Sequence, residues 1–196
     1  MYKRQEIEEF LEIRKPSGDF NRKSLNLHHG INITDEFMNC VKNNHDFPLL
    51  SPKNNEVLRK VNARELWQKI LETRMATGEP YLVFVDTVNN SMSKHQKESG
   101  LKVSTSNLCS EIMLHTGMDH KGKERTAVCC LSSVNLEKWE EWRTDINFIE
   151  DIMRFLDNVL EDFISRAPNS MDNAIYSAMR ERSVGLGAMG FHSFLC

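Results

Sequence analysis

No run of apolar residues in this chain comes near the roughly 20 needed to cross a bilayer. The opening MYKRQEIEEFLEIRK holds charge where a secretory signal would hold an apolar core, and reads as a charged helix. A cytoplasmic protein without membrane contact is the expectation. Charge of one sign is also scarce: 25 Lys and Arg are interspersed with 28 Asp and Glu, for a net charge of −3. That balance argues against a basic nucleic-acid-binding face, although a few local groups suffice for a small anion. Cysteine numbers five, at positions 40, 109, 129, 130 and 196. An odd count in a chain of cytosolic type argues against a disulfide scaffold and leaves thiol chemistry or metal binding open. There is no repeat and no linker, so the 196 residues are read as one domain.

What is present is an alternation of helix and buried strand. KPSGDFNRKSLN (15–26) is a turn-rich loop. Thr34 is placed to cap a short helix with Phe37, Met38 and Val41 on its apolar side. Asn62 with Glu65 makes a capping-box signal ahead of Ala63, Leu66, Trp67, Ile70, Leu71 and Met75, and Gly78 ends the run. PYLVFVDTV (80–88) and TAVCCLSSVNL (126–136) read as strands, each covered on both faces. A long helix is predicted over about 146–166, with Ile149, Ile152, Met153, Leu156, Leu160, Phe163 and Ile164 inward and Pro168 stopping it. A shorter helix over about 171–182 follows. The rhythm is that of an α/β protein with parallel strands.

Several motifs compete for chemistry. GLGAMG (185–190) matches a dinucleotide-binding pattern but follows a helix instead of a strand, so close backbone packing is the better reading. Cys129 and Cys130 are adjacent and face opposite ways in a strand, which suits plain core packing. A zinc site from Cys109, His115, His120 and Cys129 lacks the short-spaced ligand pairs usual for structural zinc. His28 and His29 receive no role. In SNLCSEI (106–112), Asn107, Cys109 and Glu111 alternate, and an extended backbone would send all three to one face. A thiol beside a carboxylate is a poor thiolate nucleophile, because the negative charge raises its pKa. The set suits a thiol reacting in its neutral or radical form, with the carboxylate handling a substrate proton and the amide orienting the substrate.

SNLCSEI and TAVCCLSSVNL, together with FLEIRKPSGDFNRKSLNLHHG, LWQKILETRMATGEPYLVFVDTVN and RERSVGLGAMGFH, resemble in order the large catalytic subunit of class I ribonucleoside-diphosphate reductase. The resemblance covers essentially the whole chain. It implies an α/β fold that is part of a ten-stranded α/β barrel, with a finger loop carrying a radical cysteine. By this resemblance Cys109 becomes a transient thiyl radical that abstracts the 3′-hydrogen of a ribonucleotide. Glu111 takes the 3′-hydroxyl proton, Asn107 hydrogen-bonds the sugar, and Ser106 joins them in binding substrate. Cys129 aligns with a redox-active thiol, leaving Cys130 at a position the family fills with other residues.

The resemblance also implies what the segment does not carry: the N-terminal cone, the effector loops for ATP and deoxynucleotides, the partner of the redox thiol, and the C-terminal part of the barrel. No cofactor or metal is expected in the segment itself, since the family's metal-radical cofactor sits on a small partner subunit. The implied partners are a ribonucleoside diphosphate, that small subunit, the remaining parts of the large subunit, thioredoxin or glutaredoxin as reductant, and a second large subunit in a homodimer. Cys196 is not assigned as a shuttle thiol. The chain is expected to be a central slice of the enzyme, unstable and inactive alone. The alternative is a non-catalytic remnant or a split-gene piece needing complementing chains.

Overall fold

A computed structural model describes residues 4–196; the first three residues of the expected N-terminal helix lie outside the described residues. The chain divides into two compact units, one of residues up to 98 with Lys102–Met113, the other of Ser99–Leu101 with Leu114–Cys196.

In the first unit, helix α1 (Ile7–Glu12) is followed by strand β1 (Gly30–Ile33), helix α2 (Asp35–Asn43), strands β2 (Asp46–Leu50) and β3 (Val57–Asn62), and helix α3 (Ala63–Thr77). Strand β4 (Tyr81–Phe84) and helices α4 (Val85–Ser91) and α5 (Lys94–Glu98) complete it. The caps form where the sequence places them. Thr34 accepts a hydrogen bond from the Phe37 amide. Asn62 accepts from the amides of Arg64 and Glu65, and Gly78 closes α3 with a φ of 79°. β1 and β4 pair in parallel, whereas β2 and β3 form an antiparallel ribbon that the sequence reading did not foresee.

The core of this unit gathers Ile7, Leu11, Ile31, Ile33, Phe37, Phe47, Leu49, Leu66 and Ile70. The rings of Phe37 and Phe47 meet edge to face at 5.0 Å. Each fully buried side chain of this size contributes about 1.5–3 kcal/mol. Strand alternation then decides where a ligand could go. Ile31, Ile33 and Leu82 turn into the core. Gly30 and Asn32, with their partners Tyr81 and Val83, therefore share the opposite face.

Two sequence expectations need correction here. The run 80–88 is a strand only as far as Phe84 and continues as α4. Its second half is anchored by polar groups at helical spacing: Asp86 accepts from the Asp35 amide at the start of α2, and Asn89 accepts from and donates to Val103. On α3, Leu71 and Met75 are exposed, because the inward stripe runs through Ala63, Leu66, Ile70 and Thr73.

The second unit begins with a minimal hairpin, β5 (Gly117–Met118) against β6 (Glu124–Arg125). Strand β7 (Cys130–Asn135), helices α6 (Trp139–Trp142), α7 (Phe148–Arg166) and α8 (Asp172–Glu181), strand β8 (Val184–Met189) and helix α9 (Phe191–Leu195) follow. β7 and β8 run parallel in unbroken register from Cys130↔Val184 to Asn135↔Met189. Among the described residues the strands pair only in twos and close no barrel. Leu156 and Leu160 are the buried residues of α7, while Ile149 and Met153, expected inward, are exposed. Leu131 of β7 is 54% exposed, so the strand expected over 126–136 is covered on one side only.

The glycines of 185–190 serve this sheet. A Cβ on Gly185 would stand 2.6 Å from Leu131 Cδ2 and one on Gly187 would stand 2.9 Å from Ser133 Oγ. Gly190 has a φ of 71°, and a Cβ there would meet Asn135 Oδ1 at 2.6 Å, the oxygen that caps the following turn by accepting from the Glu137 amide. Gly190→Ala is expected to lower the local opening free energy of 130–142 by about 2 kcal/mol, combining left-handed strain with the clash. Amide hydrogen exchange of that segment is the measurement, and unchanged protection would contradict the reading.

Candidate functional site

The 101–112 segment has no repetitive structure and is held by side-chain amides. Asn89 of α4 donates to Val103 O and accepts from Val103 N, both at 2.9 Å, pinning a fully buried valine. Asn32 of β1 donates to Ser104 O at 2.9 Å. Beyond these anchors the chain reverses: the Ser110 amide donates to Asn107 O at 3.1 Å, and Ser110 takes a φ of 66°.

Asn107 clamps this turn. Its Oδ1 accepts from the Ile112 amide at 3.0 Å and its Nδ2 donates to Glu111 Oε1 at 2.7 Å. Ser106 Oγ adds a donation to Ile112 O at 2.9 Å. The one-face picture of an extended strand is thereby corrected. Asn107 and Glu111 come together across a turn, with the exposed Cys109 near its tip. Sequence reasoning did not foresee the turn, because nothing at Leu108–Ser110 signals the left-handed conformation that Ser110 adopts.

A cavity of about 560 Å³ opens against this loop. Its walls are Ser104–Leu108 and Ser110 on one side, and His28, Gly30, Asn32 and Tyr81 on the other; Cys109 and Glu111 are not part of that wall. The two histidines left without a role lie here. Both use Nδ1 toward one buried carboxylate: His28 to Glu79 Oε1 at 2.5 Å and His29 to Glu79 Oε2 at 3.1 Å. Arg14 Nε adds an ion pair to Oε2 at 3.1 Å. Burial alone would push the Glu79 carboxyl up; the His28 hydrogen bond, the Arg14 guanidinium and His29 together hold it below the usual carboxylate range. Burial pushes His29 down and outweighs the pull of Glu79. His29 packs edge to face on Phe10 at 4.5 Å, and its Nε2 has no partner among the described residues. No spacing rule joins positions 14, 28, 29 and 79, which is why this cluster was missed.

In the second unit, Cys129 precedes β7, half-buried, with its thiol 3.8 Å from Cys130 O. The same unit holds a buried network the sequence did not announce. Asp119 Oδ1 accepts from the amides of Lys121 and Lys123, and Oδ2 from Arg125 Nε and Tyr176 Oη, each of the last two at 2.9 Å. Arg125 also reaches Glu181 at 2.9 Å. These bonds outweigh burial and hold the Asp119 carboxyl well below its ordinary value. They tie the short hairpin to α8. Of the residues weighed as zinc ligands, His115 is buried and His120 exposed. Among the described residues no set of three or more His, Cys, Asp or Glu is placed to hold a metal ion. Nor is any described helix long and apolar enough to cross a membrane.

The depressed His29 value has a definite sign. A histidine titrating lower in the fold than its ordinary value of about 6.5 contributes stability above that value and loses it as the pH falls through it. Hydrogen exchange of 28–33, corrected for intrinsic rates, is expected to show weaker protection as the pH falls below the ordinary histidine value of about 6.5. His29→Gln is expected to flatten the dependence. An equally steep loss in that variant would remove His29 as its cause.

Comparison with known proteins fits this geometry. The family described as ribonucleotide reductase, barrel domain, matches residues 2–196. A Frog virus 3 (isolate Goorha) protein, provisionally named ribonucleoside-diphosphate reductase large subunit, is 52% identical over 190 residues, 95% of this chain and 33% of that one. The ribonucleoside-diphosphate reductase large subunit of Invertebrate iridescent virus 3 is 35% identical over 97% of this chain and 38% of its own length. In three dimensions the class Id ribonucleotide reductase alpha subunit of Actinobacillus ureae superposes with a TM-score of 0.76 at 33% identity, over 97% of this chain and 32% of that one. The chain thus spans about a third of the length of these relatives. It belongs to the ribonucleotide reductase large-subunit family and carries that family's α/β barrel-domain fold.

Proposed function

We propose that the chain is the active-site segment of a ribonucleoside-diphosphate reductase large subunit, part of a ten-stranded α/β barrel completed by the rest of that subunit. The observation that carries this reading is the turn at 107–111, which holds Cys109 exposed between an amide and a carboxylate hydrogen-bonded to each other. A disulfide-forming or zinc-binding thiol has no use for that pair. A hydrogen-abstracting thiol needs both: the amide to orient a sugar and the carboxylate to take a proton from it.

Cys109, as a thiyl radical, takes the hydrogen atom from C3′ of the ribose. Glu111 accepts the 3′-hydroxyl proton, while Asn107 and Ser106 hold the sugar. The 2′-hydroxyl leaves as water once protonated. Cys129 and a second thiol outside this chain supply two electrons and two protons and become a disulfide. Cys109 then returns its hydrogen to C3′ and is a radical again. The balance is one ribonucleotide and one dithiol in, one 2′-deoxyribonucleotide, one disulfide and one water out. Thioredoxin or glutaredoxin would reduce the disulfide.

By the family resemblance, the oxidising equivalent for Cys109 would come from a metal-radical cofactor on a small partner subunit. ATP and deoxynucleotide effectors, the pairing of two large subunits and a cytoplasmic setting belong to the same reading.

Reconstitution with the small subunit and the remaining large-subunit segments tests the roles. Cys109→Ser is expected to abolish turnover, because an alcohol O–H is too strong a bond to serve in hydrogen transfer. Cys129→Ser should still permit abstraction but block clean reduction, with free base released from the decomposing sugar. Product chromatography separates these outcomes, and full activity of either variant would refute its assigned role.

A further inference from the structure

The cavity beside the 104–110 loop contains one group that the reaction above does not use. His28 lines this cavity with its side chain about half exposed, and its Nδ1 is 2.5 Å from Glu79. Glu79 is buried, paired with Arg14 and held in its charged form, so it only accepts hydrogen bonds. His28 must therefore present an N–H at Nδ1. In the neutral ring this fixes the tautomer and leaves Nε2 as a bare acceptor, the same second-partner logic that orients histidines in hydrolases and metal sites.

The opposite wall is rich in hydroxyls and amides, from Ser104, Thr105, Ser106 and Asn107, with Asn32 of β1 beside His28. His29 lines the same cavity, and its buried Nε2 has no partner among the described residues. An unsatisfied buried atom and an oriented exposed one, both set by a single carboxylate, are unusual in a wall that only packs. A ligand with several hydroxyl groups matches the set: serine, threonine and asparagine side chains both donate and accept, and an imidazole Nε2 receives a hydroxyl proton.

We propose that His28 binds a hydroxyl of a sugar-bearing ligand in this cavity through Nε2, and that Glu79 is the positioning residue that fixes its tautomer. The inference rests on the preceding reading in taking that sugar to be the ribose of the nucleotide. It goes beyond that reading in assigning recognition to the segment just ahead of β1, on the cavity wall opposite the 107–111 turn.

The test is equilibrium dialysis of radiolabelled cytidine diphosphate against the full polypeptide that carries this segment. His28→Ala is expected to weaken binding about tenfold, the size of one lost hydrogen bond to a neutral acceptor. His28→Gln is expected to keep most of the affinity, because its amide oxygen replaces the acceptor. Glu79→Gln should fall between them; since Glu79 is buried, the two His28 variants decide the matter. Unchanged affinity in His28→Ala overturns the proposal, and so does His28→Gln binding as weakly as His28→Ala. In the reconstituted enzyme, His28→Ala should raise KM with little change in kcat. If wild type shows the binding pattern but no Cys109-dependent turnover, the reductase reading fails and this site stands. Cys109-dependent turnover with binding indifferent to His28 removes the site alone.

Discussion

One side-chain amide decides the shape of the candidate site. Asn107 receives the Ile112 amide on its oxygen and gives a proton to Glu111 from its nitrogen, so both ends of the primary amide are satisfied within five residues. Neither a carboxylate nor a hydroxyl could do both, since one lacks donors and the other lacks the reach. The turn carrying Cys109 depends on that bifunctional group, and the turn in turn depends on Asn32 and Asn89, which hold Ser104 and Val103 from behind. Three amides, on β1, α4 and the loop itself, thus place one sulfur.

The legibility of this protein from its residues was uneven for physical reasons. Capped helices were plain: Thr34, Asn62 and Gly78 act through bonds to neighbours two to four positions away, and short-range bonds leave short-range signals. The resemblance of SNLCSEI and TAVCCLSSVNL to a known family was carried by several motifs in order, and the match over residues 2–196 agrees with it. The alternation of 107, 109 and 111 assumed an extended backbone that these residues do not adopt, since Ser110 enters the left-handed region without a glycine to announce it. The run 80–88 misled because apolarity alone cannot separate a strand from a buried helix turn; Asp86 and Asn89, four positions from Leu82 and Val85, were the helical cue.

What stayed hidden is long-range by nature. Arg14, His28, His29 and Glu79 come from three separate stretches, and Asp119 and Arg125 of the hairpin segment meet Tyr176 and Glu181 of α8. In each cluster one carboxylate draws donors from distant parts of its own unit. A buried anion needs donors and opposite charge to offset its desolvation, and both carboxyls, so partnered, are held below their usual range. The two clusters do similar work in the two units: each joins segments that are distant in sequence around one carboxylate.

The parallel pair β7–β8 has a further consequence for how this segment can change over time. Where Gly185 faces Leu131 and Gly187 faces Ser133, all the volume between the strands is spent on the β7 side. A larger residue at 185 requires the Leu131 side chain to turn away or shrink, and one at 187 requires the same of Ser133. Variation at these positions is therefore coupled across the pair, and relatives that break the glycine pattern should carry a smaller or differently turned side chain directly across.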